Sequence, residues 1–297
     1  MTKLYSKKLS VEQIKLKLQS VVLPFNIVGA VLFGSKVKGT DTICSDTDIM
    51  IIADNINPKR QRRGFEITQI KRLFAGPPLD ILLMTPKETV SNFKNHNPLF
   101  LDIAEEGIII FDNDNFLYNL IKETKDYVKK CGIKRLNNGW EFPVKRGVLT
   151  YLSGVSNKEF SMAMLKDGER DFLIAKNLLS DSFYDKSVYH FQQSVEKCVK
   201  SILIAMGIFQ RTHLVGEILR DSLQRKIVDR DWEKKLINIA EISESIEPDV
   251  SLSRYPGIIE DRLWLPYEEY EKQDAENALK KADNVLSVAK SFLDYWF

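Results

Sequence analysis

The sequence is poor in cysteine and has no long apolar run. Its 297 residues include only three cysteines, which are odd in number and far apart: Cys44, Cys131 and Cys198. Without a Cys-x-x-Cys pair, this spacing argues against a disulfide framework and against a zinc site. No stretch approaches 18 uninterrupted apolar residues, and the first ten residues lack the apolar core of a signal peptide. We therefore expect a cytoplasmic protein with no membrane partner.

The chain also lacks a strong charge of either sign. The formal net charge is +2, so the overall charge indicates no particular partner. Hydrophobic residues make up 44% of the chain and charged residues 28%, as in ordinary soluble proteins. A length of 297 residues suits two domains better than one small core.

The stretch from residue 27 to residue 52 contains two apolar β-type runs joined by a Gly-Ser turn and a polar segment with two aspartates. If this polar segment enters a strand, Asp46 and Asp48 project from the same face. Two like charges beside an apolar sheet are unfavourable unless a cation neutralises them or one carboxylate takes up a proton. A divalent metal ion is the simplest solution.

The Gly34-Ser35 pair supplies a turn suited to phosphate, because glycine permits close backbone approach and Ser35 offers a hydroxyl and an amide at a helix start. Lys36 and Lys38 could add positive charge there. A third carboxylate is expected from Asp80, the only charge in the apolar run 77–84. A Gly-Ser turn or an Asp-x-Asp segment alone could equally be ordinary loop structure; the ordered set of all these features favours a functional site.

This pattern, with Ser45-Asp46-Thr47-Asp48 before an apolar strand and a lone aspartate in the next, resembles the polymerase-β-like nucleotidyltransferases, particularly their minimal members. The resemblance implies that the turn holds a nucleoside triphosphate and that three aspartates hold two Mg²⁺ ions, with Mn²⁺ able to substitute. The residues implied to bind metal and act in catalysis are Asp46, Asp48 and Asp80; those implied to bind nucleotide are Gly34, Ser35 and Lys38. Many minimal members have arginine where Lys38 stands, which changes the geometry of a phosphate contact but keeps the charge.

A basic segment follows the second strand. Between Lys59 and Arg72, six cations stand against one carboxylate, Glu66, which leaves a net charge of +5. Charge runs of this kind are usually solvated helix faces. The functional alternative is contact with the triphosphate or with an anionic co-substrate such as RNA.

The remaining pattern predicts an α+β protein with an N-terminal mixed α/β nucleotidyltransferase domain followed by an all-α bundle. Residues 1–135 form the first domain, 136–157 a linker, and 158–297 an antiparallel bundle of about five helices. Apolar residues of the second half recur at three and four positions from Phe191 to Met206 and again from Ala275 to Trp296. Asp112 and Asp114 follow a short strand and are interpreted as helix-capping residues.

The bundle resembles the HEPN family in the run Tyr189 to Lys200, in Thr212-His213-Leu214 and in Ser253-Arg254-Tyr255-Pro256. That resemblance implies a homodimer formed through the helical domain. Many members are ribonucleases that use an arginine followed, after four to six intervening residues, by a histidine, and no histidine of this chain has an arginine at that spacing. His190 or His213 could still meet an arginine from elsewhere. Four polar residues lie within the run Tyr189 to Lys200, and they predict a polar helix face, or in this family the border of a cleft that binds nucleotide or a partner: Gln192, Gln193, Glu196 and Lys197.

Together these features predict a Mg²⁺-dependent nucleotidyltransferase that moves AMP from ATP to a hydroxyl or amine. The acceptor types that the family offers are a protein tyrosine, as in toxin–antitoxin pairs, an RNA end and a small molecule. Tyr189 and Tyr255 are conceivable acceptors within the chain. Two alternatives remain: a HEPN ribonuclease regulated by the fused first domain, and a module that binds nucleotide without turnover.

Overall fold

The structure is a computed structural model that describes residues 10–39, 46–74, 79–137, 139–151, 154–226 and 228–297. The chain forms two compact units, Met1–Cys131 and Gly132–Phe297. The first unit has a mixed α/β fold and the second is mainly helical, which confirms the predicted fold class.

The first unit alternates helices with four strands. Its elements are α1 (Val11–Gln19), β1 (Asn26–Phe33), α2 (Ser35–Lys38), β2 (Thr47–Asp54), a 3₁₀ turn (Arg60–Arg62), α3 (Gly64–Lys71), β3 (Leu79–Met84), α4 (Pro86–Lys94), α5 (Pro98–Glu106), β4 (Ile108–Asp112) and α6 (Phe116–Cys131). The strand order is β3-β2-β1-β4. β1 pairs antiparallel with β2 and with β4, whereas β2 and β3 are parallel.

Both faces of the central strand β2 are buried, which explains its near-continuous apolar sequence. Ile49 and Ile51 point to one face and belong to a core that includes Ile14 of α1 and Ile70 of α3. The alternate residues of β2 belong to a second core on the other face, built with residues of α4, α5 and α6: Met50, Ile52, Phe93, Phe100, Ile103 and Leu117. The period-two alternation of strand side chains therefore assigns the apolar residues of β2 to the two layers in turn.

Polar caps set the ends of several helices, as the sequence predicts. Ser10 and Gln13 form a reciprocal capping box at the start of α1. The carboxylate of Asp112 accepts hydrogen bonds from the backbone N–H groups of Leu117 and Tyr118, at 2.9 and 2.8 Å. Asp112 therefore caps α6 as predicted, because it satisfies amides of the first turn that have no partner within the helix.

The second unit is a helical bundle with two small β-sheets. Its elements are β5 (Lys134–Leu136), β6 (Gly139–Glu141), α7 (Asn157–Ser180), α8 (Tyr184–Ala205), β7 (Ile208–Gln210), α9 (Gly216–Leu223), α10 (Arg230–Glu244), α11 (Asp249–Leu252), β8 (Gly257–Ile259), β9 (Arg262–Trp264), α12 (Pro266–Glu269) and α13 (Lys272–Trp296). Five of the described helices have eight residues or more, consistent with the predicted bundle of about five. Within the described residues, the helices are too short or too polar to pass through a lipid bilayer.

The apolar faces predicted for α8 and α13 are the buried ones. Phe191, Val195 and Ile202 of α8 are 0–1% exposed, as are Ala282 and Phe292 of α13. The two helices pack against each other, and α7 packs against both.

The segment predicted as a linker belongs to the second unit. β6 lies between β5 and β7 in a three-stranded antiparallel sheet, and its Trp140 is 2% exposed. The boundary between the units lies at Cys131–Gly132 rather than after residue 135. β6 has only three residues, and of its two partner strands one, β7, lies some 70 positions further along the chain, which leaves too little local pattern for the sequence to reveal it.

Candidate active site

Two of the three predicted aspartates lie side by side at the start of neighbouring strands. Asp48 of β2 is in register with Asp80 of the parallel strand β3, so both side chains leave the sheet on the same face. Asp48 is partly buried and Asp80 is exposed. The face is that of Met50 and Ile52, opposite the core that contains α3. The strand pairing thus converts residues 32 positions apart into neighbours.

The Gly34-Ser35 turn lies directly against this pair. Gly34 has φ +81°, and a Cβ atom built on it would stand 2.0 Å from the Oδ2 atom of Asp48. Phe33, just before the turn, is the β1 partner of Asp48. Only glycine allows both the backbone conformation and this close approach. The structure therefore brings the predicted phosphate turn next to the predicted carboxylates, with Ser35 as the first residue of α2.

Asp46 precedes β2 and is exposed. The strand begins at Thr47. Asp46 therefore lies just before the residues whose side chains alternate between the two faces of the sheet, and the strand does not place it on the face of Asp48. Within the described residues, no group of three or more histidine, cysteine, aspartate or glutamate side chains is placed to hold a metal ion. The pair Asp48 and Asp80 suits a hard divalent cation, since both groups offer carboxylate oxygens on one face. The set of three metal ligands remains a prediction.

Of the two lysines after the turn, the structure describes the side chain of Lys36 but not that of Lys38. The ammonium group of Lys36 donates a 2.6 Å hydrogen bond to the Oγ1 atom of Thr47, which is 7% exposed. This contact ties α2 to the start of β2. Lys38 closes α2, but its side chain lies outside the described residues, as do Ser45 and the Pro77-Pro78 pair before β3.

One cation of the basic segment is a core residue. Arg63 is 1% exposed and forms a two-pronged ion pair with Glu88, with N–O distances of 2.7 and 2.8 Å. It also donates to the backbone carbonyls of Asn57 and Leu83. Both interpretations of the basic segment, a solvated face and an anion contact, are therefore wrong for Arg63. Charge counting along one segment could not reveal a carboxylate 25 residues away.

The predicted polar face of α8 is largely buried. Gln192 is 1% and Glu196 4% exposed. Glu196 accepts from Lys200 at 2.7 Å, and both its carboxylate oxygens lie 3.0 Å from Nδ1 of His213. Burial of this carboxylate is tolerable because charged and polar donors surround it. The helical pattern identified these residues, but their burial depends on the other helices.

His190 belongs to a second carboxylate network. Its Nδ1 atom lies 2.9 Å from Oδ1 of Asp171, a buried residue of α7. Lys197 donates to the other oxygen of Asp171 at 2.5 Å and pairs with Asp167 at 2.7 Å. Burial lowers the pKa of Lys197, but the two aspartates outweigh it and the pKa is raised. Asp171 was not predicted from the sequence, because the only feature that marks it there is a carboxylate at a position that lies on the buried face of α7.

Two further residues of the second unit bear on its chemistry, Arg254 and Cys198. The guanidinium of Arg254 lies 5.6 Å from the ring centre of Tyr189 and 4.9 Å from that of Tyr255. An arginine from a distant segment therefore approaches the residue next to His190. Cys198, by contrast, is fully buried, and burial raises its thiol pKa to about 12, so it is not a nucleophile near neutral pH.

Comparison with known proteins agrees with the division of the chain into two units. The polymerase-β nucleotidyltransferase profile matches residues 12–116, and the HEPN domain profile matches residues 161–292. A Methanocaldococcus jannaschii protein provisionally named a toxin is 42% identical over 137 residues, which is 46% of this chain and 90% of the relative. A second protein of that organism, provisionally named a protein adenylyltransferase, is 31% identical over 108 residues, which is 35% of this chain and 72% of the relative.

A solved structure is also similar to part of the chain. The crystal structure of an archaeal HEPN homologue is 25% identical, covers 45% of this chain and 97% of its own, and superposes with a TM-score of 0.34. That score is too low to add to the description of the fold. On the profiles and the two relatives, the chain belongs to the polymerase-β-like nucleotidyltransferases through its first unit and to the HEPN family through its second.

Proposed function

We propose that the first unit transfers AMP from ATP to a hydroxyl or amine of an acceptor. The observation that carries the proposal is the placement of Asp48 in register with Asp80 and against the Gly34-Ser35 turn. A carboxylate pair beside a turn open to phosphate is what nucleotidyl transfer needs, because the reaction depends mainly on positioning and on neutralising charge. The relative named a protein adenylyltransferase supports AMP as the transferred group.

Each residue has a defined role in this proposal. The hydroxyl of Ser35 and the backbone amides after Gly34 hold the terminal phosphates, and Lys38 adds charge there. Asp80, the more exposed carboxylate, accepts the proton of the acceptor hydroxyl. Mg²⁺ or Mn²⁺ held by Asp46, Asp48 and Asp80 would supply the positive charge that neutralises the phosphates and the leaving pyrophosphate.

The acceptor that we favour is a protein side chain. One relative is provisionally named a toxin and the other a protein adenylyltransferase, a name that specifies a protein as the acceptor. Here both families occur in one chain, so the first unit could modify or restrain the second. Tyr255 is the more accessible tyrosine acceptor, since it is 57% exposed whereas Tyr189 is only partly exposed.

The test uses the full-length protein with ATP and Mg²⁺. Pyrophosphate release and the intact mass of the protein and of added targets are followed together. We expect the wild type to release pyrophosphate and Asp48→Asn to lose activity by roughly a thousandfold, which corresponds to several kcal/mol of barrier. Asp54→Asn is the matched control, because Asp54 is exposed at the far end of the same strand.

Equal pyrophosphate release by wild type and Asp48→Asn would remove Asp48 from the mechanism. Nucleotide binding by calorimetry without any product over hours would instead indicate a module that binds nucleotide and does not turn it over. Addition of AMP to a tyrosine would appear as a mass increase that disappears in the Tyr255→Phe protein.

A ribonuclease activity of the second unit is the second candidate, favoured by the pairing of His190 with Asp171. A carboxylate at Nδ1 orients the imidazole and leaves Nε2 available for proton transfer. Full-length protein incubated with RNA should then show cleavage that His190→Gln abolishes and Asp48→Asn preserves. Absence of cleavage by the wild type would eliminate this candidate.

A further inference from the structure

The basic segment between β2 and β3 presents five cations to solvent. Lys59, Arg60, Arg62, Lys71 and Arg72 are exposed, and none of them forms a side-chain hydrogen bond or ion pair with another residue of the described chain. The one carboxylate of the segment, Glu66, accepts a 2.8 Å hydrogen bond from the backbone N–H of Asn57. The five exposed cations and the carboxylate of Glu66 together leave this surface a charge of about +4.

The backbone that carries these cations is held by buried contacts. Arg63, in the middle of the segment, is held by Glu88 and by carbonyls of Asn57, Pro58 and Leu83. On the other side of α3, Ile70 and Phe74 are buried in the sheet core. The segment is consequently fixed in place before any partner arrives, which lowers the entropic cost of binding.

An aromatic ring lies among the cations. Phe65, in the first turn of α3, is 64% exposed. By helical spacing it shares a face with Gln69 and Arg72, and Arg62 precedes it by three residues. An exposed aromatic ring with arginines beside it offers a face on which an unpaired nucleobase can stack.

We propose that the surface formed by Lys59, Arg60, Arg62, Phe65, Lys71 and Arg72 binds single-stranded nucleic acid. The cations would contact phosphates, and Phe65 would stack on an unpaired base. A duplex cannot offer such a base, because its bases stack on one another. An acidic protein segment would satisfy the cations but has no need of an exposed ring at their centre.

The surface is separate from the candidate active site. α3 packs on the sheet face of Ile49 and Ile51, whereas Asp48 and Asp80 point to the opposite face. Binding there does not require nucleotidyl transfer, so the two proposals can fail independently. If both hold, the nucleic acid is held by the same unit that carries the transferase site.

The test measures binding of full-length protein to a fluorescent oligonucleotide of about 20 nucleotides by anisotropy, using oligo(U) RNA, oligo(dT) and a DNA duplex as separate probes. If five phosphates are neutralised, the logarithm of affinity should fall with the logarithm of salt with a slope of roughly −3.5. Affinity would then drop about a hundredfold between about 50 and 200 mM salt. The two single-stranded probes distinguish RNA from DNA as the natural source.

Two variants separate charge from stacking. Arg60→Gln with Arg62→Gln should make the salt slope shallower by roughly 1.4, whereas Lys122→Gln with Lys125→Gln, an equal charge change on the exposed face of α6, should not. Phe65→Ala should weaken binding roughly 5- to 150-fold without changing the slope. Thermal unfolding checks that each variant is folded.

Three outcomes would overturn the proposal. The first is no binding of either single strand at about 50 mM salt. The second is equal affinity for duplex and single strand, or full binding by Phe65→Ala, since either means that no base is stacked. The third is tighter binding of polyglutamate than of oligo(U), which would identify an acidic protein as the partner.

Discussion

At the scale of single residues, Gly34 is the position in the candidate site that least tolerates a side chain. Its φ of +81° lies in the region that side chains rarely adopt, and its missing Cβ makes room for the carboxylate of Asp48. Any side chain there must move either the turn or the aspartate. The same glycine thus determines the position of the phosphate turn and of one predicted metal ligand.

We expect Gly34→Ala to lower AMP transfer at least tenfold, because the new methyl group displaces Asp48. Gly39→Ala is the matched control: Gly39 also has a positive φ, +70°, but no atom of the part of the chain that the structure describes lies within 4 Å of its Cβ position. Gly39 lies in the left-handed helical region, where alanine costs about 1 kcal/mol, whereas Gly34 has ψ −159° and lies in a region that is essentially restricted to glycine. Gly34→Ala should therefore lose more unfolding free energy, and both variants are assayed below their unfolding temperatures. Pyrophosphate release separates them. Equal transfer rates in the two variants would show that the approach of Gly34 to Asp48 does not matter.

At the scale of elements, the connection from β2 to α3 depends on a buried charge. Arg63 sits at the N-terminus of α3 and crosses to Glu88 in the first turn of α4. Glu88 also closes the capping box of Thr85. One carboxylate therefore joins two helices and caps one of them.

Arg63→Met should destabilise the first unit by about 3–5 kcal/mol, because it leaves Glu88 without its charge partner. Arg62→Met, its exposed neighbour, should change stability by no more than about 0.5 kcal/mol. Urea unfolding followed by circular dichroism measures both. A small effect of Arg63→Met would mean that water replaces the guanidinium at low cost.

The same pair predicts a dependence on pH. Burial raises the pKa of Glu88, but the hydrogen bonds and charge of Arg63 and the cap contacts of Thr85 outweigh it, and the pKa lies below its usual 4.5. A lowered carboxyl pKa stabilises the folded state above about pH 4.5 and loses this contribution as the pH falls below it. The stability difference between wild type and Arg63→Met should therefore shrink in acid, when urea unfolding is repeated at about pH 7 and pH 4. A constant difference would contradict the pairing.

At the scale of the whole molecule, the chain is divided into two units that each bury apolar residues. Each unit has its own buried residues, so loss of packing in one should leave the other intact. In the second unit, Phe191 of α8 is 0% exposed and packs edge-to-face against Phe172 of α7, with ring centres 5.6 Å apart.

Phe191→Ala should destabilise the second unit by about 3–5 kcal/mol through the cavity it leaves. Leu173→Ala, a truncation at a position of α7 that is 60% exposed, is the control and should have little effect. Hydrogen exchange read by mass spectrometry reports each unit separately. We expect faster exchange in α7, α8 and α13 and unchanged protection of β1 and β2. Faster exchange of β1 and β2 as well would show that the two units unfold together.

Local patterns predicted much of the fold. The apolar periodicity of α8 and α13, the cap that Asp112 forms on α6 and the strand with Asp80 all depend on residues close together in sequence, and the structure has each of them. The small sheet of β5, β6 and β7 could not be predicted in this way, because pairing between distant three-residue strands leaves no periodic signal. Strand β6 therefore lies within the segment 136–157 for which the sequence predicted a linker.

The amino-acid sequence by itself determined which residue types could do chemistry here: a glycine turn, carboxylates at strand starts, and a run of cations. Only the tertiary structure decided which of them meet. Strand register put Asp48 beside Asp80, while the ion pair with Glu88 moved Arg63 into the core and left five other cations in solvent. The physical reason is that side-chain chemistry is local, whereas burial and charge pairing depend on groups contributed by distant segments of the chain.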